Sequence, residues 1–389
     1  MTSRAFVVVA DACGVGALPD AADYGDEGSN TLAHVAQAVG GLRLPVLERL
    51  GLGSILTLEG VAAARAPVLH GRLAAQGPGK ESTTGHWELM GAIAPAPLPT
   101  YPDGFPDDVV RALEAATGRR FICNRPYNGI AAIDDFGAEH LRDGALILYT
   151  SQDSVLQIAA HVERLSEREL DDVCAAARAL MTGEHAVGRV IARPFGGAPG
   201  AFARTQGRRD FAVAPPGRTY LDELTDAGVP VHAVGKVSDL FAGRGICAAH
   251  PGATNERALR ETSRLVGELD SGLVFTNLVE TDQVYGHRKD VHGFHRALAA
   301  IDACVGAWLE ALRPRDLLIV TADHGCDPAA AHSDHTREYA PLLACFEGHG
   351  GRRWDGTLAD VGASVLRWLC GADAPALPGT PFVTAPGQP

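Results

Sequence analysis

Residues 77–88 read Gly77-Pro78-Gly79-Lys80-Glu81-Ser82-Thr83-Thr84-Gly85-His86-Trp87-Glu88, and the rest of the chain is organised around them. Three hydroxyl side chains lie between flanking glycines and apolar residues follow, which predicts a tight loop that enters the first turn of a helix. A hydroxyl there lies near the positive end of the helix dipole, which favours an alkoxide or a bound phosphate. Taken alone, the stretch is more typical of a surface turn rich in glycine and serine.

Length and composition narrow the class of protein. The chain has 389 residues, of which 46% are hydrophobic and 21% are charged, and its net charge is −13. These values are typical of a globular protein of two or three domains with a sizeable core. The acidic balance argues against a nucleic-acid partner, and no apolar run is long enough to span a membrane. We therefore expect a small-molecule partner. The protein is also expected to be a monomer or weak oligomer, although its composition does not decide this.

The N-terminus and the cysteines indicate the compartment. The apolar run Phe6–Ala10 is short and stops at Asp11, which is typical of a buried strand and not of a signal peptide. Eight cysteines are scattered along the chain without a Cys-x-x-Cys pair. This usage predicts buried thiols in a reducing cytoplasm.

Strands alternate with helices through most of the chain, which predicts an α/β fold with a mostly parallel sheet covered by helices on both faces. Predicted strands end near residues 10, 234, 279 and 321, and predicted helices cover 31–39, 255–269 and 293–312. Proline-rich segments at 94–99 and 215–217 predict domain boundaries. We therefore predict core segments at 1–96 and 215–389 with a smaller inserted α/β domain at 97–214, in which Ser166 and Glu169 form a capping box.

Acids and histidines follow the buried strands at three places in the chain. They are Asp11, the segment from Glu280 to His287, and the segment from Asp323 to Glu338. A single Asp-His pair is more often a solvated turn, but several such groups at strand ends of one sheet fit a site for two divalent ions. Mixed nitrogen and oxygen ligands permit Mn²⁺, Zn²⁺ or Mg²⁺, and the absence of thiolate among them disfavours a structural zinc site.

Seven motifs together give the chain a resemblance to a known family. They lie at residues 79–88, 149–157, 188–195, 235–239, 277–279, 321–325 and 334–338. With them the chain resembles the phosphopentomutase family, within the alkaline phosphatase superfamily, over nearly its whole length. The resemblance implies an alkaline-phosphatase-like core, and it implies that the inserted domain is a cap.

The resemblance also implies the roles of individual residues. It assigns Ser82 as the nucleophile. It also implies two manganese ions, with Zn²⁺ or Mg²⁺ as alternatives. The ion that contacts the nucleophile is assigned to Asp11, Asp323 and His324. The other ion is assigned to Asp282, His287 and His335. It assigns contacts with the sugar phosphate to Asp153, Arg189, Ile191 and Lys236.

The reaction implied is the exchange of ribose (or deoxyribose) 1-phosphate and 5-phosphate. A phosphorylated serine donates its phosphate, a sugar bisphosphate forms, and the enzyme takes back the other phosphate, so that a sugar bisphosphate also serves as activator. Residues 186–218 carry six arginines and one acid, Asp210. This local positive charge suits a phosphate dianion, although it is also compatible with a solvated basic face.

Five positions depart from the family pattern. Ser82 stands where threonine is usual, and Ala12, Asn30, Glu280 and Cys326 stand where serine, aspartate, aspartate and asparagine are expected. Such changes retune a metal site without removing it. The main expectation is therefore a phosphopentomutase; the alternatives are a mutase on another phosphosugar of a specialised biosynthetic pathway, a metal-dependent phosphatase or other hydrolase of the same superfamily, and a non-enzymatic binding protein.

Overall fold

The computed structural model describes residues 3–151, 153–348 and 350–386. Gln152, within the motif at 149–157, therefore lies outside the described residues. The chain forms two compact units, one of Met1–Ala96 with Pro215–Pro389 and the other of Pro97–Ala214. That the second unit acts as a cap stays a prediction.

The first segment of the chain begins with a buried strand and ends with the helix that starts at Ser82. Its strands and helices are β1 (Arg4–Ala10), α1 (Thr31–Ala38), α2 (Pro45–Leu50), α3 (Leu52–Ile55), β2 (Leu69–Ala74) and α4 (Ser82–Leu89). A short 3₁₀ helix, Ala21–Tyr24, lies between β1 and α1.

The second unit alternates helices and strands. Its elements are α5 (Asp107–Thr117), β3 (Phe121–Pro126), α6 (Gly129–Asp143), β4 (Leu146–Thr150), β5 (Val155–His161), α7 (Glu167–Leu180), β6 (Arg189–Gly196), β7 (Ala203–Arg204) and β8 (Arg209–Ala212), with a 3₁₀ turn at Gly183–His185. The predicted capping box opens α7, since Ser166 accepts from the Glu169 amide and the Glu169 side chain returns to the Ser166 amide.

The last segment completes the first unit. Its elements are α8 (Tyr220–Asp226), β9 (Val231–Val234), α9 (Val237–Leu240), β10 (Ala248–His250), α10 (Asn255–Glu268), β11 (Gly272–Leu278), a π-helix (Thr281–Gly286), α11 (Val291–Ala311), β12 (Asp316–Thr321), β13 (Ala340–Cys345), β14 (Gly356–Thr357) and α12 (Asp360–Cys370).

The first unit contains an eight-stranded sheet in the order β10-β9-β11-β1-β12-β13-β2-β14. The strands β10, β9, β11, β1 and β12 all run parallel, whereas β13 pairs antiparallel with both neighbours. Every residue of β1 is buried, which is typical of a central strand covered on both faces. The sequence analysis did not identify β2, because the charged and glycine residues within Leu69–Ala74 interrupt its apolar pattern.

The second unit has its own six-stranded sheet and its own core. The strand order is β3-β4-β5-β6-β7, and β8 pairs antiparallel with β6. Strands β3 and β4 are parallel to each other, and so are β5 and β6. The central pair, β4 and β5, is antiparallel. Helices α5 and α7 cover one face of this sheet through Leu113 and Leu170, and α6 covers the other through Ile133. Within the described parts of both units, no helix combines the length and the apolar character that a bilayer span needs.

A buried ion pair anchors the N-terminal end of β1. The Arg4 guanidinium donates to both carboxylate oxygens of Asp316, with a distance of 2.9 Å for Nε, and also to the carbonyl oxygens of Val266 and Leu269. Neither charged side chain is more than 2% exposed. Removing one partner would leave the other charge buried and unpaired.

We predict that Arg4→Ala lowers the free energy of unfolding by about 3–5 kcal/mol, the usual cost of an uncompensated buried charge. Chemical denaturation followed by circular dichroism measures this change. As a matched control, Arg353→Ala removes a half-exposed pair with Asp355 and should change stability by no more than about 1 kcal/mol. Equal effects of the two substitutions would contradict the prediction.

Candidate functional site

Three strands of the first unit deliver polar side chains to one edge of the sheet. The register aligns Ala10 of β1 with Leu278 of β11, and Val9 with Thr321 of β12. Because these strands are parallel and in step, the residues that follow them meet at their common carboxyl end. Asp11, Asp282 and Asp323 are brought together there, as the sequence predicted, and each is at most 4% exposed.

The first predicted ligand set forms a compact group. His324 Nε2 lies 3.2 Å from Asp11 Oδ1 and 3.5 Å from Asp323 Oδ2. Burial opposes protonation of His324, but the carboxylates of Asp323 and Asp11 raise the pKa of its imidazole well above the usual value. For Asp323, burial alone would raise the pKa of the carboxyl group. The interactions with His324 and His86 have the larger effect and hold that pKa below its usual value.

The second predicted ligand set centres on Asp282. Its Oδ1 lies 3.2 Å from His335 Nε2 and 3.4 Å from His287 Nε2. Asp282 lies on the π-helix and His287, five residues later, directly follows it; the His287 amide donates to the Asp282 carbonyl at 3.2 Å. This wider turn brings both side chains to the same side, and π-helices are frequent at functional sites. We call the six residues of the two sets the carboxylate–histidine cluster.

The cluster has the chemistry of a metal site. Among the described residues, the buried atoms Asp282 Oδ1 and His335 Nε2 make no hydrogen bond, and Asp323 Oδ2 makes none of good geometry. Nδ1 of His324 lies 3.0 Å from the Gly325 carbonyl and Nδ1 of His287 lies 2.7 Å from the Ser333 carbonyl, so in both rings Nε2 is the nitrogen that faces the carboxylates. Buried polar atoms without partners are costly, so cations would satisfy them.

The structure places Ser82 next to the first set. Its hydroxyl donates to Asp11 Oδ1 at 3.0 Å and lies 3.0 Å from His324 Nε2. Ser82 is the first residue of α4, and Glu81 before it gives no side-chain cap to the helix. The amides of this first turn and the helix dipole therefore favour negative charge at Ser82, as its position in the sequence predicted.

Helix α4 approaches the cluster closely because Gly85 has no side chain. A Cβ atom at Gly85 would lie 2.6 Å from the Asp323 carbonyl oxygen, which is closer than such atoms come. One turn after Ser82, His86 is fully buried, and its Nδ1 lies 2.9 Å from the Ser82 carbonyl and 3.0 Å from Asp323 Oδ2. His86 thereby links the helix to a predicted ligand.

Two supporting residues were missed by the sequence analysis as parts of the site. Asn277, the penultimate residue of β11, donates from Nδ2 to Asp11 Oδ2 at 2.8 Å. His86 stands in the stretch 77–88, four residues after Ser82, but was given no role there, although a spacing of four residues on a helix places two side chains on one face. That spacing was the available signal for His86, whereas nothing in the sequence indicates which carboxylate Asn277 orients.

Four of the five departures from the family pattern make distinct contacts, and two of them, Ala12 and Cys326, adjoin the cluster. Ala12 contacts the cluster through its backbone, because its amide donates to Asp323 Oδ1 at 3.2 Å. The Asn30 side chain caps α1, and Glu280 accepts from the Asn255 amide at 2.8 Å. Cys326 differs, because its sulfur lies within 4.8 Å of ligand atoms of Asp282 and His287.

The predicted sugar-phosphate contacts are divided between the two units. Arg189 and Ile191 point to one face of β6 as alternate residues of a strand, and Asp153 lies in the turn before β5. The Arg189 guanidinium lies 3.6 Å from Asp210. Lys236 belongs to the first unit, where it directly precedes α9.

The arginine-rich segment is less uniformly positive than its composition suggests. Arg208 pairs with Asp210 at 2.7 Å, Arg209 with Asp171 at 2.9 Å, and Arg218 with two acids of α8 in the first unit. Three of the arginines nevertheless line one cavity of about 210 Å³ in the second unit; its lining is Arg193, Pro194, Arg204, Thr205, Gln206 and Arg208. The cavity is suited to an anion, since arginine binds phosphate through paired donors.

Comparison with known proteins identifies the family. A model of the metalloenzyme superfamily matches residues 3–370. A phosphopentomutase from Carboxydothermus hydrogenoformans is 50% identical over 341 residues, which are 87% of this chain and 88% of that protein. A phosphopentomutase from Anaeromyxobacter sp. strain K is 47% identical over 373 residues, which are 95% of this chain and 96% of that protein.

A solved structure has a fold similar to that of this chain. The PH0037 protein from Pyrococcus horikoshii matches with a TM-score of 0.50 at 13% identity, over 96% of this chain and 98% of that one. At that identity the likeness concerns the fold alone. The predicted fold class, an alkaline-phosphatase-like α/β core with a mostly parallel sheet, is confirmed. With relatives so similar over nearly its full length, this chain belongs to the metalloenzyme superfamily and, within it, to the phosphopentomutase family.

Proposed function

We propose that this protein is an isomerase that interconverts the 1-phosphate and the 5-phosphate of ribose or deoxyribose through a phosphoserine at Ser82. Family membership supports the substrate, because the relatives are phosphopentomutases over most of both chains. The observation that carries the mechanism is the position of the Ser82 hydroxyl, 3.0 Å from Asp11 and from His324 at the start of α4.

The carboxylate–histidine cluster would hold two divalent ions. Asp11, Asp323 and His324 would bind the ion beside Ser82, and Asp282, His287 and His335 the other. Bound there, two cations such as Mn²⁺ would supply charge stabilisation for an alkoxide and for a transferring phosphoryl group. Zn²⁺ or Mg²⁺ would fit the same donors.

The protein side chains would perform the remaining tasks. Ser82 would take and return the phosphate, which avoids a direct transfer between two sugar positions. The first-turn amides of α4 would stabilise negative charge on that phosphate. His86 would hold α4 in place through Asp323, and Asn277 would orient Asp11. A sugar bisphosphate would supply the first phosphate to the resting serine.

We propose Asp153, Arg189, Ile191 and Lys236 as contacts with the sugar phosphate. Arg189 offers a planar set of donors that matches a phosphate dianion, and it is 37% exposed, so it is accessible to a ligand. Ile191 lies on the same face of β6 but is only 2% exposed, so its proposed contact rests on the family resemblance. We further propose that the second unit acts as a cap that excludes water while the bisphosphate intermediate is held.

The first prediction concerns the phosphorylated residue. Ser82→Ala should abolish phosphate transfer, because the covalent route needs an oxygen nucleophile. After activation with a sugar bisphosphate, mass spectrometry of the wild-type enzyme should place one phosphate on Ser82. Thr83→Ala is the matched control and should keep the phosphate, so a phosphate on Thr83 or Thr84 would contradict the assignment.

The second prediction concerns the metals. Purified active enzyme should contain two divalent ions per chain, and a chelator should lower the thermal midpoint because the buried carboxylates lose their cations. Asp323→Ala should lose metal and activity. Asp302→Asn is the control, since Asp302 is a buried acid that caps α2 outside the cluster, and it should keep both ions. Well under two ions in an active preparation would refute the proposal.

The third prediction concerns Arg189. Arg189→Ala should raise KM for the sugar phosphate and increase release of free bisphosphate or inorganic phosphate, because a charge-assisted contact worth about 2–5 kcal/mol is lost. Metal content should not change. Arg209→Ala, on β8 beside β6, removes a surface arginine paired with Asp171 and should behave as wild type. Wild-type KM without leakage in Arg189→Ala would exclude Arg189 as the phosphate contact.

A further inference from the structure

Arg337 connects the loop before Ser82 to the segment that carries His335. Only 4% of its side chain is exposed. Its Nη1 donates to the carbonyl oxygens of Gly77 at 2.7 Å and Gly79 at 2.8 Å, and its Nε and Nη2 donate to the Asp20 carboxylate. The guanidinium also lies 5.0 Å from the centre of the Tyr24 ring. All of its contacts with the loop are therefore made with backbone carbonyls.

Glu88 holds the amides of the same loop. Its carboxylate accepts from the backbone N–H of Gln76 and of Gly77, the latter at 3.1 Å, and it is 3% exposed. Glu88 lies on α4, one and a half turns after Ser82. The loop is thus bound through its carbonyls by a buried cation and through its amides by a buried anion.

Asp26 joins the two segments at a second point. Its Oδ2 accepts from Lys80 Nζ at 3.0 Å and from the Arg337 amide at 2.8 Å, and its Oδ1 lies 2.9 Å from His332 Nε2. Lys80 is two residues before Ser82. The residues on both sides of the cluster's His335 are therefore tied to the loop that leads to the nucleophile.

Such binding matters because the loop has no regular structure of its own. It contains Gly77, Pro78 and Gly79, and a glycine-rich loop loses much conformational entropy when it is fixed. The planar guanidinium donates to both carbonyls from Nη1 while its Nε and Nη2 hold the Asp20 carboxylate, a fixed geometry that the single nitrogen of a lysine cannot reproduce. A displacement of about 1 Å at a reacting atom costs on the order of 10²-fold in rate.

We infer that Arg337 is a positioning residue for phosphate transfer: it fixes the loop 75–81 so that the Ser82 hydroxyl stays beside Asp11 and His324. The inference rests on the proposed role of Ser82. Arg337 does not touch the reacting atoms, and it acts through the carbonyls of Gly77 and Gly79. The position of the nucleophile is thereby coupled to the segment that holds His335.

The test compares Arg337→Ala with Arg337→Lys and with Arg4→Ala in the metal-loaded enzyme. Arg4 is the matched control, because it too is buried and binds two carbonyls and one aspartate, but it lies at the opposite end of β1. Each variant is assayed for kcat, KM, metal content and phosphate on Ser82 after activation. Hydrogen exchange of the peptide covering residues 75–85 reports the order of the loop.

For Arg337→Ala we expect kcat to fall roughly 10²-fold while KM and metal content stay near wild type. Phosphate on Ser82 should decrease, and exchange in residues 75–85 should increase. Added guanidinium ion at a non-denaturing concentration should restore part of kcat by filling the vacated space. Arg337→Lys should keep the fold but not kcat. Arg4→Ala should lose stability without these changes and without rescue.

Wild-type kcat in Arg337→Ala would overturn the inference, and so would a loss of kcat that accompanies loss of metal and is not rescued by guanidinium. Wild-type kcat in Arg337→Lys would also overturn it, since a point charge would then suffice. If Arg337→Ala does not fold, the inference is tested with Arg337→Lys, which should show a lower kcat and faster hydrogen exchange in residues 75–85. If wild-type enzyme itself carries no phosphate on Ser82, the proposed function fails instead, which separates the two outcomes.

Discussion

The crowding of three buried carboxylates at one edge of the eight-stranded sheet is the constraint on which this structure depends. Asp11, Asp282 and Asp323 follow three parallel strands that are in register, so their like charges cannot separate. Burying unpaired carboxylates is expensive. The histidines compensate in part, and the remaining unpartnered atoms support the proposal that the cluster binds cations. The same electrostatic demand underlies the proposal that the cluster, with bound cations, is a centre for phosphate chemistry.

The rest of the first unit keeps this crowded edge rigid. Apolar strands that are buried on both faces fix the backbone positions from which the carboxylate side chains extend. Gly85 lets α4 approach closely enough for Ser82 to contact Asp11. Arg337 and Glu88 bind the irregular loop that precedes α4 by its carbonyls and amides. Charged residues thus have two roles here. One group forms the proposed chemical centre, and two other buried residues, Arg337 and Glu88, hold the backbone that leads to Ser82.

The sequence predicted elements whose apolar pattern is continuous and missed those whose pattern is broken. Strands β1, β11 and β12 and the capped helix α7 were predicted within a few residues, because burial on both faces or a capping box leaves a local signature. Strands β2 and β13 were not identified. Leu69–Ala74 is interrupted by glycine and arginine, and the antiparallel pairing of β13 depends on neighbours far along the chain, which no local pattern encodes.

For the site, the sequence by itself determined the residue types and the strand ends that carry them, since Asp11, Asp282 and Asp323 each follow a recognisable buried strand. It also placed Ser82 at a helix start. Only the tertiary structure decided how these groups meet: the π-helix that turns Asp282 and His287 to one side, and the Asn277 amide that orients Asp11. It also decided that Arg337 binds a loop some 260 positions earlier in the chain. Hydrogen bonds across such separations depend on the packing of the whole sheet, so their partners cannot be deduced from local spacing.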